Sequence, residues 1–274
     1  MTTGSRTRPI GRRIFRTDRL TIGVGISDLY SPRLVPVLAS AGADYVFIDM
    51  EHTRFSLHDV ATFIDGAQGA DIPVIVRPPE VSRGYIQRLL DLGADGFFAP
   101  RIGSAEDAAA AVGFMKYPPV GERSDSGRIQ RSRPSPARAR DEANENTVLI
   151  VIVETRTGVE KIDEICATAG VDGVSIGPAD LSMSLGIPGE LDSDVYRKAE
   201  QRIVDSCRAH GMPLTIGTAP TIEDALRQRA LGCFTLFVDD EIGLITRALS
   251  TYRTDLWQAL AKARHDGTDA KRAR

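Results

Sequence analysis

Polar side chains in this chain gather where apolar runs end. "VFIDMEH" closes on Asp49, Glu51 and His52, "PVIVRP" delivers Arg77, "GFFAPRI" delivers Arg101, "TVLIVIV" is followed by Glu154, and "GVSIGP" leads to Asp180. Two carboxylates without a His or Cys partner suit a hard divalent cation such as Mg²⁺ or Mn²⁺. Such a cation keeps waters that a bidentate 2-oxo acid can displace, and it polarises the ketone as a Lewis acid. Arg77 could take a carboxylate bidentately, and an arginine near the cation can stabilise the oxygen that gains charge in an enolate. A histidine, which titrates near neutrality, can move the proton. Together these types point to metal-assisted enolate chemistry. No lysine stands at a strand end, because Lys116 and Lys161 fall on helical stretches, so a Schiff-base route is disfavoured.

Each of these residues also has an ordinary structural reading. Glu154 could cap the helix that follows it. Asp180 could be the N-cap of the "LSMSLG" stretch. His52 could be a hydrogen-bonded structural histidine, and Arg77 a surface arginine. What favours chemistry is their placement, since five consecutive strands send acids, a histidine and arginines to one rim. His58, His210 and His265 fall on a helix, a helix end and the tail, and carry no assigned role.

The elements that position these residues repeat one pattern, a short β-branched or aromatic run, a turn and a helical stretch. The expected strands are 21–26, 44–50, 73–78, 96–102, 147–153, 173–178, 213–218 and 233–238. Their nearly continuous apolar character suits parallel strands buried on both faces. "SLHDVATFIDGAQGA" and "SAEDAAAAVGFMKY" open on serine caps, while "TGVEKIDEICATAG" and "TIEDALRQRALG" open on threonine caps and close at glycine. Strand–helix alternation implies right-handed βαβ units, and eight of them in one chain imply a single-domain α/β fold of TIM-type (β/α)8 barrel class. A doubly wound open sheet is the structural alternative. The rhythm breaks over 118–146, where six arginines and four prolines show no clear apolar face. That segment is either a functional loop or a surface excursion.

The expected organisation is a basic N-terminal segment at 1–20, the barrel at 21–263 and a polar tail at 264–274, with both ends largely solvated. The arginine-rich N-terminus lacks the apolar core of a secretory signal, although a transit peptide fits its acid-poor pattern. The net charge of −3 gives no global basic field for nucleic acid or a membrane surface. No apolar run approaches the ~18 residues of a membrane span. Cys166, Cys207 and Cys233 are far apart and form no CxxC pair, so neither a disulfide framework nor structural zinc is expected, and a reducing, cytoplasmic location fits.

Several motifs also carry a resemblance. "DYVFIDMEH", "VIVRPP", "LLDLGADGFFAPRIGSAEDAAAAV", "KYPPVGER", "VIVETRTGVEKIDEI" and "GVDGVSIGPADLSMSLG" resemble, in order and spacing, those of the HpcH/HpaI aldolase/citrate lyase family, from about Ile22 to the last strand. The resemblance implies a class II pyruvate-dependent aldolase of 4-hydroxy-2-oxo acids, acting on a small-molecule 2-oxo acid and an aldehyde. It implies Glu154 and Asp180 as ligands of Mg²⁺, Mn²⁺ or Co²⁺, His52 as catalytic base, and Asp91 as the acid that orients that histidine. Arg77 becomes the residue that stabilises the enolate. Gly177 and Ala179 become substrate contacts beside Asp180, with the Ala179 backbone N–H meeting the substrate carboxylate, as a helix start favours. Asp49 and Glu51 would hydrogen-bond metal-bound water. The family commonly forms hexamers of dimers that exchange a C-terminal helix, which implies a homo-oligomer.

The chain departs from the family pattern at its substrate side. Ile152 stands where the family has a glutamine whose amide contacts substrate, Ser124 replaces a glycine, and Arg101 stands where an apolar residue is usual. Arg101 adds a rim charge suited to a second carboxylate or a phosphate. These departures keep two alternatives open. One is related enolate chemistry, such as oxaloacetate decarboxylation, a specialised C–C bond formation or an acyl-CoA lyase reaction. The other is a non-catalytic metabolite-binding barrel.

Overall fold

The computed structural model describes residues 14, 20–125, 136–233 and 235–265. The strands are β1 (Thr21–Ile26), β2 (Tyr45–Asp49), β3 (Val74–Arg77), β4 (Gly96–Ala99), β5 (Val148–Val153), β6 (Gly173–Ile176), β7 (Leu214–Ile216) and β8 (Thr235–Asp240). Each pairs in parallel with its sequence neighbour up to β7, and β8 returns to pair with β1. The ring closes between β7 and β8 at a bridge from Thr218 to Phe237, where the Ala219 N–H donates to the Phe237 carbonyl at 2.7 Å. The strand order never doubles back, so this is the (β/α)8 barrel and not the open doubly wound sheet.

The helices are α1 (Leu34–Ser40), α2 (Leu57–Ala67), α3 (Arg83–Leu92), α4 (Ala105–Met115), α5 (Pro136–Asn146), α6 (Arg156–Glu160), α7 (Ile162–Cys166), α8 (Pro178–Ser184), α9 (Asp194–Ala209), α10 (Ile222–Ala230) and α11 (Glu241–His265). Their starts are chemically marked. Ser56 and Asp59 form a reciprocal capping box on α2, Thr221 and Asp224 do the same on α10, and Ser104 caps α4. None of the helices in the described residues is long and apolar enough to cross a membrane.

Three expectations need correction. The helix expected from Thr157 is two short helices, and its cap is Thr155, whose side chain accepts the Gly158 N–H at 3.0 Å. Within 118–146, α5 is an ordered helix held by polar anchors. Asn144 exchanges hydrogen bonds with both backbone groups of Tyr117, and Lys116 Nζ donates to the Asn144 and Thr147 carbonyls at 2.6 and 2.7 Å. A helix docked this way leaves no apolar periodicity to read; residues 126–135 of the same segment lie outside the described residues. Finally, Ile14 belongs to the interior, although most of the basic N-terminal segment lies outside the described residues. It is fully buried inside the barrel, and the Thr235 hydroxyl donates to its carbonyl at 2.6 Å.

Strand residues alternate between two cores. Outward-facing residues such as Val46, Val76, Val151 and Val174 pack under the helices. Inward-facing residues, among them Tyr45, Ile75, Phe98, Ile150 and Ile152, form a second cluster inside the ring. Near the top of β8 the alternation is interrupted. Gly23 pairs with Phe237 but Val24 pairs with Asp239, so Val238 is a bulge. Above it, Glu241 is buried and accepts the backbone N–H groups of Ser27, Asp28 and Leu29 at 2.7–3.1 Å. One carboxylate thereby clasps the loop after β1 to the end of β8.

On the outside, α7 is latched to α9. Asp163 accepts from Arg202 Nη2 and from the Ser206 hydroxyl, both at 2.6 Å, and these bonds hold its carboxyl down from 3.8 to about 2. A depressed carboxyl contributes stability that is present above its unfolded value and lost as pH falls through the folded one. The urea midpoint of Asp163→Asn should therefore lie below that of the parent at neutral pH, with the gap closing as pH falls from 3.8 toward about 2. Because the pair is exposed, added salt should narrow the gap too. A gap that persists unchanged at acid pH would remove the latch.

Candidate active site

Glu154 follows directly on β5 and continues its inward series after Ile150 and Ile152. It does not cap the next helix, because Thr155 does that. Its carboxylate turns into the barrel mouth, 3% exposed, where Oε1 accepts the Arg101 N–H at 2.7 Å. Arg101 sits in a left-handed turn with φ 56°, which aims that amide at the carboxylate. The approach also requires Gly177. A Cβ there would stand 2.5 Å from Glu154 Oε2 and 3.3 Å from Ile152 Cγ2.

Asp180 is not the N-cap of its helix. Gly177 is, with Pro178 at the first position, so Ala179 and Asp180 lie in the first turn of α8. No side chain caps this end, and the amides of a first turn have no partner within the helix. Gly177, Ala179, Asp180, Glu154, Arg77 and His52 all line a cavity of about 540 Å³ at the barrel mouth.

Arg77 ends β3 in register with Asp49 of β2. The pair is bidentate, with Nε to Oδ1 at 2.9 Å and Nη2 to Oδ2 at 2.6 Å, and Glu51 adds an oxygen 3.4 Å from Nε. Burial pulls the guanidinium down, but Asp49, Glu51 and Glu154 outweigh it and hold Arg77 above its ordinary range. Glu51 Oε2 is buried without a hydrogen-bond donor and lies 3.8 Å from His52 Nε2. Burial, with Asp49 and Asp180 nearby, pushes the Glu51 carboxyl up despite Arg77 and His52. Glu154 is also raised, first by burial and then by Asp180 and Glu51, against the Arg101 amide and Arg77.

Burial and the neighbouring Asp180 thus disfavour the charge of Glu51 and Glu154 in a partly dry mouth. That is the electrostatic signature of a cation site. Among the described residues no three His, Cys, Asp or Glu side chains form a ready ligand cluster. Two hard oxygen donors with an unsatisfied third nearby fit a Mg²⁺-like ion that keeps part of its water shell.

Not every expected residue joins the site. Asp91 lies in α3, outside the cavity wall, and its carboxylate takes Arg123 Nη2 at 2.8 Å. The carboxylate that His52 meets is Glu51. Arg101 contributes its backbone; its side chain is exposed and does not line the cavity. Lys116 is one residue beyond α4 and anchored beneath β5, at the end of the barrel opposite the mouth. The sequence reading missed the cavity's aromatic lining, Phe47, Phe98 and Phe237. Two of these rings could have been found by counting two residues back from Asp49 and from Pro100, as Ile152 stands two residues before Glu154.

The Asp49–Arg77 pair sets the position of the guanidinium. Asp49→Ala would leave a charge with 17% side-chain exposure short of its main partner, with Glu51 as the remaining one. We expect a stability loss of about 2–4 kcal/mol by urea unfolding. A loss below about 0.5 kcal/mol would show that the pair is not structural.

Comparison with known proteins agrees with this geometry. Residues 27–236 match the HpcH/HpaI aldolase/citrate lyase family. A 5-keto-4-deoxy-D-glucarate aldolase of Shigella dysenteriae serotype 1 (strain Sd197) is 34% identical over 226 residues, covering 81% of this chain and 87% of that protein. The crystal structure of an HpcH/HpaI aldolase from Desulfitobacterium hafniense DCB-2 superposes with TM-score 0.80 at 31% identity, over 88% of this chain and 93% of that one. The citrate synthase SbnG superposes with TM-score 0.76 at 31% identity, over 91% and 95%. The chain belongs to the HpcH/HpaI aldolase/citrate lyase family.

Proposed function

We propose that the chain is a divalent-cation-dependent class II aldolase that makes or cleaves a C–C bond between a pyruvate enolate and an aldehyde. The observation that carries this reading is Glu51 and Glu154, both raised by burial and by the neighbouring Asp180, beside one pinned guanidinium at the mouth of a barrel of this family. Glu154 and Asp180 would hold the cation, with Glu51 and Asp49 bonding its waters. Bound there, the cation would supply Lewis-acid polarisation of the 2-oxo group. Arg77, fixed by Asp49, directs its N–H groups to the oxygen that gains charge in the enolate. The open amide of Ala179 takes the substrate carboxylate. His52, beside Glu51, moves the proton. In cleavage the C4 hydroxyl loses its proton, the C3–C4 bond breaks, and its electron pair becomes the enolate, which C3 protonation turns into pyruvate. The substrate class is the 4-hydroxy-2-oxo acids, to which the named relatives point. Asp91 is retained as a positioning acid only through the family resemblance.

A second reading keeps the enolate and changes its fate, by oxaloacetate decarboxylation or by capture with a different electrophile. The structural likeness to a citrate synthase and the apolar Ile152 in the cavity wall favour it. Deuterium exchange at the pyruvate methyl group tests what both share. We expect exchange that depends on Mn²⁺ or Mg²⁺ and falls at least about 100-fold in Glu154→Gln. If Glu154→Gln keeps both exchange and cation binding, the assignment fails. Faster turnover of oxaloacetate than of any 4-hydroxy-2-oxo acid would favour the second reading.

The chain also fits a homo-oligomer. Along α11, Ile245, Leu249, Tyr252, Leu256 and Trp257 are exposed at helical spacing, an apolar stripe that a second copy would cover. Sedimentation velocity should show a species larger than one chain, and Leu249→Glu with Leu256→Glu should shift it toward the monomer. A single-chain mass for the parent at micromolar concentration would dismiss this.

A further inference from the structure

The cavity has a charged rim and an apolar floor. Arg77 and Glu154 stand on the rim, with Asp49 behind Arg77, and the inward residues two positions earlier on the same strands are Ile75, Ile152 and Phe47. Phe98 of β4 and Phe237 of β8 complete the floor with Phe47 and Ile152. The three rings pack edge to face, Phe47 to Phe98 at 5.0 Å and 87° and Phe47 to Phe237 at 5.2 Å and 67°.

Inward side chains of such barrels ordinarily fill the interior in layers contributed by alternate strands. The layer here takes Phe47 from β2, Phe98 from β4, Ser175 from β6 and Phe237 from β8. It is not packed shut, because Phe47 and Phe237 remain only partly buried at the centre of the barrel and Ser175 is too small to cover them. On β1, a Cβ at Gly25 would stand 2.7 Å from Phe237 Cζ, so glycine is what lets this ring spread toward β1. Aromatic surface facing an open cavity beneath a charged rim is a binding surface for a group that needs no hydrogen bonds. The polar exceptions, Ser175 and Thr215, sit together on β6 and β7, and the Thr215 hydroxyl has no protein partner.

We propose that the electrophilic half of the substrate carries an aryl group, or a branched alkyl group of similar size, seated on Phe47, Phe98, Phe237 and Ile152. This rests on the aldolase reading and names its acceptor class. The rings offer edges and faces to a planar group, whereas a polyhydroxylated chain would lose its water on a surface with few partners to offer. The reaction is balanced without a further reactant. Pyruvate C3 loses a proton, its electron pair bonds to the aldehyde carbon, and the aldehyde oxygen gains a proton, giving R–CH(OH)–CH₂–CO–COO⁻.

The full-length protein with Mg²⁺ is tested in two ways. Calorimetry compares binding of 4-phenyl-2-oxobutanoate, which has no 4-hydroxyl to cleave, with 2-oxobutanoate. Kinetics compares kcat/KM for cleavage of 4-hydroxy-2-oxo-4-phenylbutanoate with that of 4,5-dihydroxy-2-oxopentanoate. Each ratio should favour the phenyl compound by at least about tenfold. Both should shrink in Phe237→Ala and in Phe237→Leu, the second variant keeping an aliphatic wall should the first fail to fold. Equal ratios, or ratios favouring the hydroxylated or short compound, overturn the proposal. If pyruvate exchange is metal-dependent while the ratios are flat, the aldolase reading stands and the acceptor class falls. If pyruvate never exchanges, the aldolase reading fails and the calorimetric ratio alone decides whether the floor selects aryl groups.

Discussion

The structure is organised around an excess of negative charge at the mouth of a barrel. Asp49, Glu51 and Glu154 converge there on one guanidinium, Arg77, with Asp180 beside the two glutamates and a histidine at the edge. Carboxylates brought together out of water raise one another's proton affinity unless a positive charge joins them. Arg77 binds Asp49 bidentately and lies 3.4 Å from Glu51, yet burial and the neighbouring Asp180 keep Glu51 and Glu154 raised. The protein tolerates this because the fold supplies partial charges from the backbone. The Arg101 amide is fixed on Glu154, and the uncapped first turn of α8 presents its amides beside Asp180.

The surrounding architecture keeps this arrangement from relaxing. Thr155 takes over the capping of α6 and so frees Glu154 to point inward. Gly177 removes the one Cβ that would push the carboxylate back. Beneath the rim, β2, β3 and β5 are central strands buried on both faces, so the rim residues stand on backbone with little freedom to shift. Buried polar groups held by such over-determined surroundings gain specificity that solvated ones lack.

Much of this was legible in the sequence, and the reasons separate cleanly. The eight strands could be read because burial on both faces writes them as unbroken apolar runs. The rim residues could be read because a strand buried on both faces carries its polar side chains where it emerges from the core. The capping threonine was misplaced because two threonines stand two residues apart, and only geometry decides between Thr155 and Thr157. Helix α5 was invisible because Asn144 and Lys116 anchor it through the backbone, which leaves no periodic stripe. Ile14 was hidden in a basic segment whose composition argues for solvent. Asp91 came only from family resemblance, and in a single chain it faces Arg123 and not His52. The cavity floor was missed because Phe47, Phe98 and Phe237 look like ordinary core in one dimension; that they line a cavity, with Phe47 and Phe237 only partly buried, is visible only once the ring is closed.

The seam between β7 and β8 gives the barrel an uneven stiffness. Elsewhere neighbouring strands share registers of two to five residue pairs, but here, among the described residues, a bridge at Thr218 and Phe237 joins them. Thr215, Thr218 and Phe237, beside that seam, are cavity wall, whereas Glu154 and Asp180 follow β5 and β6 on the well-laddered side. Chemistry and recognition are therefore mounted on parts of one ring with different compliance. Substitutions near the seam can reshape what the cavity admits while the carboxylates stay where they are, which makes this fold a scaffold whose selectivity can drift without its reaction being rebuilt.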